Sequence, residues 1–114
     1  MLAAEFMVRR TGLGLTPEGL ASLLGVRPDT VSKWESGVSV IPDGVVLELA
    51  ALEVKSEALF NDMAGRAEAG QGIRVFRSNG EARIAGFLSA RHAALLASEI
   101  INARIGDVNV SYQA

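Results

Sequence analysis

The chain has 114 residues, a formal net charge of −2, 49% apolar and 21% charged residues, and no cysteine. This bounds it to one domain or one domain with a small appendage. It also excludes disulfides and thiolate metal sites, and denies the chain the basic excess of a bulk-electrostatic nucleic-acid binder.

The first element expected is a short amphipathic helix over Leu2–Thr11, with Phe6 on a buried side and Arg9 and Arg10 on a basic side. It ends at Gly12-Leu-Gly-Leu15. Nothing in Met1–Phe6 has the basic start and apolar stretch of a signal peptide. No apolar run approaches the roughly 20 residues that span a bilayer. A cytoplasmic location and no membrane partner are therefore expected. Thr16 is a good N-cap and Pro17 suits the first helical position, so a second helix runs through Leu20, Ala21 and Leu24 to a break at Gly25. A third short helix, Pro28–Ser36, carries Val31 and Trp34 on its apolar face and closes at Gly37.

Pro42 and Asp43 then open a long helical pattern. Its stripe is Val45, Leu49, Leu52, Leu59, Met63 and Ala67, widened by Val46, Val54 and Phe60. It ends near Gly70-Gln-Gly72; whether it is one helix or two broken near Lys55-Ser56 stays open. After it the period changes. Ile73–Arg77 and Ala82–Phe87 read as strands joined by a tight Asn79-Gly80 hairpin. Ser89 caps an alanine-rich helix to about Arg104, and Val108, Val110 and Tyr112 alternate as a last strand. The expected fold is mainly α: a helix-turn-helix bundle with a long helix over 1–70, then a small α+β region, strand-strand-helix-strand, over 71–114 that serves dimerisation. Pairing two such thin layers, with or without the long helix, would cover a face that one cannot bury alone.

Thr16–Gly37 has the residue types that a helix-turn-helix needs. Two short helices must meet at a fixed angle across a tight turn. Ala21 gives the close contact, Gly25 turns without a Cβ penalty, and Val26 and Val31 fill the angle. Trp34 is read as core, because its spacing from Val31 turns it inward.

The run Leu15-Thr-Pro-Glu-Gly-Leu-Ala-Ser-Leu-Leu-Gly-Val-Arg-Pro-Asp-Thr-Val-Ser-Lys-Trp-Glu-Ser-Gly37 resembles the Cro and lambda-repressor-type, or XRE, helix-turn-helix family over roughly the first 55 residues. Trp34-Glu-Ser-Gly, Ile41-Pro-Asp and Gly86-Phe-Leu-Ser also resemble the YdiL-like and anti-CRISPR-associated regulators. The resemblance implies that Arg27, Pro28, Asp29, Thr30 and Lys33 face base edges, and that Thr16, Ser32, Ser36 and Ser39 sit where phosphates are held. Arg27 or Lys33 would donate to guanine, and Asp29 would accept from cytosine or simply favour the positive end of its helix. It implies structural roles for Arg10, Ala21, Gly25, Val31, Trp34 and Glu35, with Arg10 and Glu35 as an ion pair. Pro17 and Pro28 depart from the family pattern by removing a backbone donor and a base-reading side chain.

Charge adds one constraint. Over residues 1–40, Arg9, Arg10, Arg27 and Lys33 balance four acids, and the acidic excess begins at Asp43. His92, the only histidine, reads as a surface or packing residue, and Arg74, Arg77 and Arg83 as a solvated hairpin face. No catalytic constellation, phosphate loop or metal-ligand cluster is visible, so neither enzyme activity nor a cofactor is expected. The expectation is a homodimeric autorepressor of double-stranded DNA with a palindromic operator. The alternative is an antitoxin or other interaction module whose C-terminal region binds a partner protein, with RNA as a further partner class; a metabolite-responsive regulator is a third reading, though no set of convergent polar groups is visible in the sequence.

Overall fold

The computed structural model describes residues 1–106 and 108–114. The elements are α1 (Ala3–Gly12), α2 (Pro17–Leu24), α3 (Pro28–Glu35), α4 (Asp43–Glu68), β1 (Ile73–Val75), α5 (Asn79–Ile84), α6 (Ala90–Asn102) and β2 (Val110–Tyr112). The protein is mainly helical, as its sequence implies. It divides into two compact units, Met1–Val54 and Lys55–Ala114, so the boundary expected after residue 70 falls inside the second unit. The division lies within α4, which is one unbroken helix of 26 residues.

In the first unit, α3 packs against both α1 and α2. The buried set is Phe6, Leu13, Leu15, Leu20, Ala21, Val31, Trp34, Ile41 and Leu49. Phe6 meets Trp34 edge to face, with ring centroids 5.7 Å apart and planes at 76°; such pairs add about 0.5–1.5 kcal/mol to area burial. Gly25 ends α2 with φ +70°, so its own N–H and that of Val26 both reach the Ala21 carbonyl. Any side chain there would carry the strain of the left-handed region. The apolar stripe expected on α4 holds at Leu49, Met63 and Ala67, which are buried, but Val54 is 68% exposed.

In the second unit, β1 and β2 pair in parallel, Ile73 opposite Val110 and Val75 opposite Tyr112. Parallel strands cannot be joined by a tight turn, and here α5 and α6 make the crossover. The end of α4 supplies Met63 and Ala67 to a core with Ile73, Leu96, Ala97 and Ile100. One face of the layer is therefore covered by the long helix of the same chain. Gly106 passes so close beneath α4 that a Cβ on it would lie 2.3 Å from the Ala67 carbonyl oxygen, and its φ is +65°. Both conditions demand glycine.

The hairpin expected at Asn79-Gly80 is absent, and the strand expected over Ala82–Phe87 does not form: Ala82–Ile84 close helix α5 and the rest is turn and loop. The reason is local. A two-residue hairpin of this kind needs positive φ at both central residues, and neither Asn79 nor Gly80 has it. Ser78 and Glu81 instead have the Ser-x-x-Glu spacing of a capping box. Ser78 Oγ accepts from the Glu81 N–H at 3.2 Å and starts a helix. Asn79 Oδ1 accepts from the Ala90 N–H at 3.0 Å, so the residue that suggested a turn satisfies the first N–H of α6, whose N-cap is Ser89. The other elements of this region, β1, α6 and β2, lie where the sequence puts them.

His92 is fully buried in the first turn of α6, which removes the surface alternative. Its Nδ1 accepts from the Leu88 N–H at 3.2 Å. The proton of the neutral ring therefore sits on Nε2, which donates to Ser56 Oγ 2.8 Å away. Burial, aided by the charge of Lys55, lowers the His92 pKa to about 4. The unfolded chain then binds one more proton than the folded one between about pH 6.5 and 4, so stability falls as the pH drops through that window and is intact above it. The expected loss is roughly 3 kcal/mol between neutral pH and pH 4. Urea melts at stepped pH check this: His92→Gln, which cannot titrate, should flatten the profile, and an unchanged slope would refute the assignment.

Candidate nucleic-acid interface

The eight residues of α3 divide cleanly by exposure. Val31 and Trp34 are buried, whereas Arg27, Pro28, Asp29, Ser32 and Lys33 are exposed and Thr30 is half-buried. The outward face thus begins at the N-terminus of α3 and gathers every residue expected to read bases. Arg27 is the N-cap residue, with extended backbone and no side-chain cap bond. Pro28 at the first helical position costs no hydrogen bond, because that N–H has no partner within a helix.

Two of these side chains meet each other. Lys33 Nζ lies 3.2 Å from Asp29 Oδ2, one turn away, with 52% and 66% of the side chains exposed. Such a pair is worth a few tenths of a kcal/mol and opens easily. Its effect is to hold the ammonium over the first turn of α3.

The angle of α3 is fixed from behind by Arg10 of α1. Its Nε donates to Glu35 Oε2 at 2.7 Å and its Nη2 to Glu35 Oε1 at 2.8 Å, a two-pronged match of guanidinium to carboxylate. Its Nη1 donates to the Leu15 carbonyl at 2.7 Å, just before α2. One side chain therefore ties α1 to the end of α3 and to the lead-in of α2. The pair is largely sheltered, with 12% and 14% of the side chains exposed. Ala21 and Val31 are buried with Leu20 in this unit, and Gly25 makes the turn.

The residues expected to hold phosphates are placed differently from one another. Thr16 is the N-cap of α2; its Oγ1 accepts from the Gly19 N–H at 3.0 Å, which leaves the hydroxyl proton able to donate outward. Ser32 is exposed. Ser36 Oγ donates to the Lys33 carbonyl at 3.3 Å, and Ser39, half-buried, gives its backbone N–H to the same carbonyl at 3.2 Å.

Sequence reasoning missed one contact. Arg9 Nε reaches both carboxylate oxygens of Glu53, at 3.1 and 3.0 Å, and its Nη2 also meets Oε1. The two residues are 44 positions apart, and no local pattern announces the pair. With it the charge of this unit is accounted for. Residues 1–54 carry four basic and seven acidic side chains. Arg9, Arg10 and Lys33 are ion-paired, and Arg27 alone among these four is in no ion pair of the described residues.

Residues 7–52 match the family model described as Helix-turn-helix, which covers α1 from Met7 through the first part of α4. No curated protein matches the chain.

The Arg10–Glu35 pair yields a measurable expectation. Exposed pairs contribute about 0–1 kcal/mol, and breaking a buried one costs about 3–5 kcal/mol because a charge is stranded. Glu35→Ala, which leaves a sheltered guanidinium with only the Leu15 carbonyl, should cost about 2–4 kcal/mol in urea denaturation. Removing both charges with Arg10→Met and Glu35→Leu should recover most of it. A loss below about 1 kcal/mol for Glu35→Ala would class the pair with ordinary surface charges.

Proposed function

We propose, from the match of residues 7–52 to the helix-turn-helix family model and the likeness of Leu15–Gly37 to Cro and lambda-repressor-type regulators, that the protein binds an inverted-repeat operator as a homodimer and represses its own operon, as anti-CRISPR-associated regulators do. The observation that carries the reading is the two-sided α3: Val31 and Trp34 anchor it inward while Arg27, Asp29, Thr30 and Lys33 stand on its outer face and at its N-terminal end. In this reading that end enters the major groove, where N-terminal residues of a recognition helix face base edges. Arg27, in no ion pair among the described residues, is the first donor to guanine O6 and N7. Lys33 is the second, released from Asp29, and Asp29 accepts from cytosine N4. Thr16, Ser32, Ser36 and Ser39 hold phosphates and set the register. Pro28 contributes shape only.

The acidic balance of residues 1–54 argues for two copies. A single recognition helix with so few free cations gains little from phosphate contacts. Two copies related by a two-fold axis read half-sites about 34 Å apart and combine their binding energies. We place the dimer contact on residues 71–114, where Ile84, Ile101 and Tyr112 are exposed.

Arg27→Ala or Lys33→Ala should cost about 1–3 kcal/mol on the selected operator and much less on random DNA. Equal weakening on both would reduce these residues to phosphate contacts, and unchanged binding would remove them from the interface. The operator itself comes from selection out of random sequence.

Light scattering at micromolar concentration should give twice the 12.0 kDa chain mass, and Ile101→Lys should lower it. A monomer that still binds a palindrome tightly would sink the dimer and leave the C-terminal region for another task, such as holding a partner protein.

A further inference from the structure

The second unit contains a cleft that regulator chemistry does not use. Its apolar part, about 210 Å³, is lined by Leu59 and Met63 of α4 and by Phe76, Ala85 and Phe87. The rings of Phe76 and Phe87 lie 5.5 Å apart and form part of its wall. A polar part of about 420 Å³ is lined by Arg66, Gln71, Gly72, Arg74 and Ser111. The two share Arg66, Gly72 and Arg74 and so adjoin, with the aromatic and aliphatic wall on one side of those arginines and the polar hollow on the other.

The charges where the two adjoin do not cancel. Arg66 Nε donates to Asp62 Oδ2 at 3.2 Å, which neutralises one guanidinium with the one carboxylate on the wall. Arg74 stands exposed on β1, and among the described residues its guanidinium has no ion pair or hydrogen bond. The net lining charge is therefore positive, next to aromatic and aliphatic surface. A guanidinium fork suits a planar carboxylate, which it can bind through two parallel hydrogen bonds. The apolar part, about 210 Å³, is below the roughly 300 Å³ at which sites for drug-sized ligands begin, so the tail it takes is short.

We propose that this cleft binds a small carboxylate with a short apolar tail or ring, its charge on Arg74 and its body against Phe76, Phe87 and Met63. The proposal concerns the second unit alone and does not depend on DNA binding by the first.

The test is calorimetric titration of the full chain with hexanoate, acetate, 1-hexanol and inorganic phosphate. Hexanoate should bind saturably, at least tenfold tighter than acetate, which lacks the tail, and than 1-hexanol, which lacks the charge. Arg74→Gln lies on an exposed strand position, and its melting curve should match that of the parent. It should weaken hexanoate at least tenfold. Three results would each overturn the proposal: no saturable hexanoate binding at millimolar concentration, unchanged affinity in Arg74→Gln, or phosphate and acetate binding as tightly as hexanoate, which would mark a simple surface charge.

Discussion

The position of α3 depends on a single guanidinium. Arg10 spends its donors on Glu35 and on the Leu15 carbonyl, so α1, the lead-in to α2 and the end of α3 meet at one planar group. The apolar contacts beneath it, Phe6 against Trp34 among them, supply most of the energy but tolerate some sliding. A two-pronged pair tolerates little, because both hydrogen bonds lose strength together when the helix rotates. Burial holds α3 down and Arg10 sets its angle.

This arrangement uses up charge. In the first unit the basic side chains other than Arg27 are committed to carboxylates, two of them between elements. The architecture is thus reinforced by the same residue types that would otherwise attract a phosphate backbone. The second unit reverses the balance, with seven basic and six acidic residues in positions 55–114. Arg74 is left without a partner among the described residues, and Arg77 stacks on Tyr112 with 3.9 Å from its guanidinium carbon to the ring centre. Most of the positive charge not committed to carboxylates thus belongs to the second unit.

The first unit was legible because each element there is fixed by short-range signals. Thr16, Pro17, Gly25, Pro28 and Gly37 act on their immediate neighbours, and the spacing of Val31 and Trp34 declares one face. The second unit was legible only in part. At Ser78–Glu81 two local signals compete, an Asn-Gly turn and a helix cap; Ser78 caps the helix, and Asn79 accepts from the Ala90 N–H, 11 residues on, a contact no local pattern announces. The burial of His92 depends on Ser56, 36 positions away. The cleft is assembled from α4, β1, the end of α5 and the segment after β2. None of these pairings leaves a periodicity in the chain, since each is made by the fold and not by neighbours in sequence.

The parallel ladder also orders the birth of the molecule. Ile73 pairs with Val110, so β1 waits for the whole crossover to leave the ribosome before it finds its neighbour. At about 5–20 residues per second the intervening stretch takes about 2–7 s to make. The first unit has its buried residues, from Phe6 to Leu49, in hand well before then. Through that interval Ile73 and Phe76 belong to an unclosed layer whose strand edge is free to pair with another chain. The helix-turn-helix is therefore the early-folding half of a nascent protein. Until the second half of the chain is made, that exposed edge belongs to a chain whose helix-turn-helix core residues are already present.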